Sequence, residues 1–133
     1  GYASPIQDSK AASDNDFNTA LRMAVANLNT VSICAGSHNE KSALLLVELM
    51  QEMGIDKNDP RIYFAQLLGM SDHISFNLAN CNYNVAKYVP YGPIKEVMPY
   101  LIRRAEENTS VAGQTSRELS LIMDERRRRK SYK

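Results

Sequence analysis

Three short apolar runs, each followed by a stretch long enough for a helix, limit what this chain can fold into. The runs are Val31-Ser-Ile-Cys-Ala-Gly36, Arg61-Ile-Tyr-Phe-Ala-Gln66 and Val85-Ala-Lys-Tyr-Val89. Their β-branched and aromatic content and their length read as buried strands. After the first run, Lys41 to Met53 is built around Leu44, Leu45, Val47, Leu49 and Met50, and Gly54 is placed to end that helix. Ser71 or Asp72 can cap a short helix through Leu78. Pro93 suits the start of a helix that runs from Ile94 to about Asn108. Ahead of the first strand, Phe17, Leu21 and Ala24 recur at helical spacing, with Asp14 or Asp16 as cap and Asn27 and Asn29 at the end. Residues 1–15 read as a loop, 16–113 as strand–helix units, and 114–133 as a terminal helix with a basic tail.

Strands that alternate with helical crossovers pair in parallel, and a parallel sheet is covered by helices. The fold class is therefore α/β. With 133 residues the chain has room for one core. A complete (β/α)8 barrel needs about 200 residues or more. Hydrophobic residues at 44% and charged residues at 23% exclude an extended disordered chain. No stretch approaches the ~20 apolar residues of a membrane span. A net charge of +1 gives no general attraction to polyanions. Two cysteines cannot make a disulfide framework, so a reducing compartment or two buried thiols is the expectation. The chain opens on Gly1 without a targeting segment, and a processed or truncated chain is expected. No metal site is expected.

In parallel α/β folds, ligands bind where strands end. Ser37-His38-Asn39, Gln66-Leu67-Leu68 and Tyr88 with Pro90 to Gly92 fall there. His38 can donate a hydrogen bond or carry a proton, or it can be a loop or capping histidine. Gln66 can contact a ligand or satisfy a neighbouring backbone group. His73 reads as structural. On the helix after Pro93, Tyr100, Arg103, Arg104 and Glu107 form a stripe apart from the apolar arc of Ile94, Val97, Met98, Leu101, Ile102 and Ala105. A guanidinium fork matches a carboxylate, and Tyr100 would stand beside it as a flat wall. The alternative is a solvated face with an Arg103–Glu107 pair worth about 0.3–0.5 kcal/mol. The run Arg126 to Lys130 lacks interleaved aromatics and suits a helix C-terminus, so no nucleic-acid partner is expected.

The segments Phe64 to Met70, Lys87 to Gly92 and Tyr100 to Asn108, with Ser37-His38-Asn39 in its place, resemble the C-terminal part of the proline dehydrogenase (proline oxidase) family. The monofunctional eukaryotic form is the most similar. The resemblance implies the last three or so strand–helix units, plus a terminal helix, of a flavin-binding (β/α)8 TIM barrel. It implies FAD as cofactor, oxidation of L-proline to Δ1-pyrroline-5-carboxylate, and a membrane quinone as electron acceptor. It implies that Arg103 and Arg104 bind the substrate carboxylate, that Tyr88 and Leu68 contact its ring, and that Tyr100 lines the site. Ser37, His38, Asn39, Gln66 and Glu107 match flavin-side positions. Localisation at the matrix side of the mitochondrial inner membrane, with peripheral membrane contact, also comes from the resemblance alone. The family's lysine and aspartate from early strands, and its arginine from the fifth, have no counterpart in this sequence, so the segment by itself is expected to be inactive. Two alternatives stand beside this reading. One is hydroxyproline dehydrogenase of the same superfamily, against which the bulk of Tyr88 argues. The other is a non-catalytic truncated form that acts as a binding or regulatory piece.

Overall fold

The computed structural model describes residues 6–110 and, beyond them, residues 119, 120, 123, 124, 126, 127 and 130, which are helical. The chain divides into two units, Gly1–Tyr88 and Val89–Lys133. The first contains α1 (Lys10–Ala26), β1 (Ile33–Gly36), α2 (Glu40–Glu52), β2 (Ile62–Leu67), α3 (Asp72–Asn80) and β3 (Val85–Tyr88). The second contains α4 (Ile94–Ser110). The expected starts of the terminal helix, Thr115 and Ser116, lie outside the described residues.

The order of strands and helices is the one the sequence implies, and the sheet is parallel, in the order β1-β2-β3. The first helix differs. It begins at Lys10, so the loop expected over 1–15 is helical from that residue on. The cap is Ser9, whose Oγ accepts from the Ala12 amide at 3.2 Å. Ala11 and Ala12 then favour helix, which leaves Asp14 and Asp16 inside it. At the far end of α2 the chain turns as expected. Gly54 takes φ +64, its amide donates to the Gln51 carbonyl, and the Ile55 amide donates to the Met50 carbonyl at 2.8 Å. This pair of bonds is the Schellman closure, which glycine adopts without the strain of a Cβ.

One sheet face is packed under helices. Ile33, Ala35, Ile62 and Phe64 are buried there with Leu21 and Val25 of α1, Leu46, Leu49 and Met50 of α2, and Ile74 and Leu78 of α3. Phe64, 1% exposed, meets Tyr83 edge to face with ring centroids 5.6 Å apart. The other face corrects two expectations. Cys34 and Tyr63 pair in register on it and both are exposed, so the strands are not buried on both sides and the thiol of Cys34 is not a core group. Cys81 is exposed as well. The cause is the two-residue period of a strand, which turns Cys34 and Tyr63 away from the helices that cover Ile33 and Ile62. The same face carries Gly36, Ala65 and Ala86, matched across all three strands, and then the pair Leu67 and Tyr88.

The start of β2 is tied by polar contacts. Arg61 donates to Asp59 through its backbone amide, Nε and Nη2, and its Nη1 donates to the Leu28 carbonyl at 3.1 Å. Asn84 Nδ2 donates to the carbonyls of Asp59 and Ile62. The Arg61 side chain is the first cause that holds the Asp59 carboxyl down at about 2. These contacts lie at the end of the sheet away from the candidate ligand residues.

In the second unit, the carbonyl of Pro93 accepts from the amides of Glu96 and Val97, so the proline sits just ahead of the helix it was expected to begin. α4 also contains Pro99, which removes one amide from its hydrogen-bond ladder.

Candidate active site

The C-terminal ends of the strands in the first unit gather a linked set of polar groups. Gln66, the last but one residue of β2, lies on the helix-covered face and is 3% exposed. A buried amide needs partners. Its Nε2 donates to the Ser37 carbonyl at 3.3 Å, and its Oε1 accepts from Ser75 Oγ at 2.8 Å. Ser75 Oγ also lies 3.2 Å from the Ser71 carbonyl. The Ser71 hydroxyl is 2.9 Å from His38 Nδ1. Since Ser37 and His38 are neighbours, the contacts close into a ring through β1, β2 and α3. Of the two readings of Gln66, the structure shows its amide joining Ser37 and Ser75.

Lys87 lies next to this ring, on the strand face that carries Gln66, with which it pairs in register. Its Nζ donates to the Met70 carbonyl at 2.7 Å and to Asp72 Oδ1 at 2.8 Å. The strand-exit loop after β2 is thereby fastened on both sides of Ser71.

The remaining candidates of this unit have distinct surroundings. Asn39 caps α2, with its Oδ1 accepting from the amides of Lys41 and Ser42. Its side chain also contributes to holding Asp14 below the usual carboxylate range, behind the larger effect of Lys10. The Ser37 hydroxyl accepts from the Asn39 amide at 3.1 Å. His38 is half-buried. Leu68 and Tyr88 are brought together, because the Leu68 amide donates to the Tyr88 carbonyl at 3.0 Å. Both side chains are exposed, and Tyr88 rises from the sheet face that carries the small row Gly36, Ala65 and Ala86.

In the second unit, the Arg104 guanidinium stands over the Tyr100 ring, 5.3 Å from its centroid. A cation at this distance is attracted by the ring's quadrupole. Tyr100 and Arg104 are half-buried and Arg103 is exposed. Of the expected stripe, Tyr100 and Arg104 are thus neighbours. The side chain of Glu107 lies outside the described residues. Ile94, Met98, Leu101 and Ile102, from the expected apolar arc, are all exposed.

Sequence reasoning missed Ser71, Ser75 and Lys87 as members of the strand-end network. A signal existed for Lys87, a charged residue between Ala86 and Tyr88 inside an apolar strand. Ser71 and Ser75 are spaced by four, as neighbours on a helix are, but nothing local points them at His38.

The family model described as proline dehydrogenase matches residues 1–117. The chain belongs to the proline dehydrogenase family. It is 42% identical over 132 residues to proline dehydrogenase 1, mitochondrial, of Homo sapiens, covering 97% of this chain and 22% of that protein. It is 41% identical over 133 residues to the hydroxyproline dehydrogenase of Xenopus laevis, covering 97% of this chain and 28% of that protein. The chain thus spans roughly a quarter of the length of these curated relatives. Its fold is similar to that of proline utilization A from Bdellovibrio bacteriovorus inactivated by N-propargylglycine, with a TM-score of 0.74 and 27% identity, covering 84% of this chain and 11% of that one. The parallel strands and their helices are consistent with part of a proline dehydrogenase barrel of the TIM type.

Proposed function

We propose that this chain is the closing segment of the barrel of an FAD-dependent proline dehydrogenase, which oxidises L-proline to Δ1-pyrroline-5-carboxylate. The observation that carries the reading is the Arg104 guanidinium held over the Tyr100 ring, one residue from Arg103, in a chain of this family. A cation–π contact restrains a guanidinium before a ligand arrives, so less freedom is lost on binding. Arg103 and Arg104 bind the substrate carboxylate through paired, charge-assisted hydrogen bonds. Leu68 and the ring of Tyr88 pack on the pyrrolidine ring and exclude water from it.

The strand ends suit a flat heteroaromatic group. Gly36, Ala65 and Ala86 form a row of small residues, and a Cβ added at Gly36 would meet nothing within 4 Å. Ser37 and His38 stand just past β1 with hydrogen-bonding groups. Ser37, His38, Asn39, Gln66 and Glu107 would hold the cofactor, although the side-chain oxygens of Asn39 and Gln66 already accept hydrogen bonds within the chain. Bound FAD supplies the hydride acceptor. The protein's part is orientation: a carboxylate fixed by two arginines leaves the ring carbon one direction to face. A membrane quinone as electron acceptor, and the matrix side of the mitochondrial inner membrane as location, belong to the same proposal. The human relative's name includes the word mitochondrial.

The test is steady-state kinetics of the full-length protein that carries this segment. Arg104→Lys keeps the charge and loses the fork, and KM for proline should rise about 10- to 100-fold, the loss of one charged hydrogen-bond pair. An unchanged KM would refute the assignment of Arg104. Preference for trans-4-hydroxyproline over proline would move the chain to the hydroxyproline branch.

A further inference from the structure

We infer that Lys87 is a positioning residue for the substrate pocket, whose ammonium holds the β2–α3 loop so that Leu68 keeps its place beside Tyr88. The inference rests on the reading of Leu68 and Tyr88 as the groups that pack on the substrate ring. Lys87 and Tyr88 end β3, and the two-residue period of a strand sends their side chains to opposite faces. Tyr88 rises from the face of Gly36, Ala65 and Ala86, whereas Lys87 lies on the helix-covered face with Gln66 and Val85. Lys87 therefore acts from behind the ligand face and not on it. Its side chain is 21% exposed, and an ammonium taken this far out of water needs partners. It reaches back 17 residues to the Met70 carbonyl, at 2.7 Å, and 15 residues to Asp72 Oδ1, at 2.8 Å.

These partners lie in a loop that leaves regular backbone twice. Between β2 and α3 the chain passes through Gly69 at φ +76 and Ser71 at φ 51, both left-handed. A serine in this region is strained, so the path needs contacts that hold it. Three sides supply them. Toward β1, the Ser71 hydroxyl meets His38 Nδ1 at 2.9 Å. Toward α3, the Ser75 hydroxyl lies 3.2 Å from the Ser71 carbonyl. Toward β3, the Leu68 amide donates to the Tyr88 carbonyl at 3.0 Å, and Lys87 Nζ donates to the Met70 carbonyl. The last two residues of β3 thus hold the loop at Leu68 and again two residues later. One hydrogen bond leaves a peptide able to turn about it, and a second point of attachment removes that freedom. The Leu68 side chain is 59% exposed, so its direction is set by its backbone more than by packing. Without the ammonium, Leu68 would pivot on its bond to Tyr88 and no longer present a fixed apolar wall.

The test has two arms, both on the full-length protein that carries this segment. The first is amide hydrogen exchange of residues 67–72 in Lys87→Met, at labelling times too short for residues 41–52 of α2 to exchange. Exchange in the loop should quicken about 10- to 100-fold, the effect of losing one charged hydrogen bond. An unchanged rate would overturn the inference. The second arm is a double-mutant cycle in proline oxidation, with rates normalised to bound FAD. Lys87→Met should raise KM for proline about fivefold, as the partial loss of a leucine contact would, and leave kcat within about twofold. Leu68→Ala should raise KM about tenfold. Adding Lys87→Met to Leu68→Ala should raise it less than twofold more, because a residue that acts through Leu68 has nothing left to position. The same fivefold rise in both backgrounds would overturn the inference, since a general loss of stability would act alike in each. An unchanged KM in Lys87→Met beside a raised one in Leu68→Ala would overturn it as well. If Lys87→Met does not fold, Lys87→Gln, which loses the charge and one carbon of reach, replaces it with the same expectations. The ring-contact reading fails separately. An unchanged KM in Leu68→Ala refutes that reading, and the exchange arm then decides by itself whether Lys87 holds the loop.

Discussion

Replacing Lys87 by methionine separates two contacts that a distance alone does not rank. Methionine retains much of the apolar stem and removes the ammonium. The bond from Nζ to the Met70 carbonyl is 2.7 Å, and a hydrogen bond from a charged group is worth about 1.5–3 kcal/mol. The contact with Asp72 is nearly as short, at 2.8 Å, but the Asp72 side chain is 51% exposed and that of Lys87 21%. Solvent screening reduces such a pair to about 0.5 kcal/mol. Lys87→Met should therefore cost about 2 kcal/mol, and Asp72→Asn about a quarter of that. Urea unfolding followed by circular dichroism reads both. With a slope of about 1–3 kcal/mol per molar, the Lys87→Met midpoint should fall by about 1 M. Added salt should erase the small Asp72 part and leave the carbonyl part in place. If Asp72→Asn costs as much as Lys87→Met, or if salt removes the whole effect, the ion pair dominates and the reasoning is wrong.

Two further outcomes are expected. Asn39→Ala should destabilise the chain by about 1 kcal/mol, since the cap of α2 is lost, and a thermal melt indistinguishable from the parent would contradict the cap. Asp59 has a folded pKa of about 2 against an ordinary 3.8, so the unfolded chain binds this proton more readily. Its contribution is fully present above about pH 4 and is lost as the pH falls toward 2; Asp59→Asn should flatten that limb of the stability curve, and a limb of unchanged slope would refute the assignment.

The alternation of strands and helices was legible because it rests on local periodicity. Phe64 and Ile62 alternate with Tyr63, and Gly54 marks a turn that glycine makes most easily. Helix starts were less legible. Asp14 and Asp16 are good caps by type, but a cap acts only where the chain already departs from the helix, and that place is Ser9. Cys34 looked like a core residue because an apolar run does not say which of its faces is covered. At the candidate site, His38 and Gln66 were visible as polar groups at strand ends. Their partners were not, because the contact of His38 with Ser71 spans 33 residues and depends on a backbone conformation that serine does not favour.

Pro99 gives α4 a place of low bending stiffness. Proline has no amide to offer the carbonyl of Lys95, so the helix can flex between these residues without breaking the bond that would ordinarily resist it. Tyr100, Arg103 and Arg104 all lie beyond this joint. A bend there would swing them together as a rigid lever arm. Their aim would change, while the contact of Arg104 with the Tyr100 ring, internal to the arm, would stay the same.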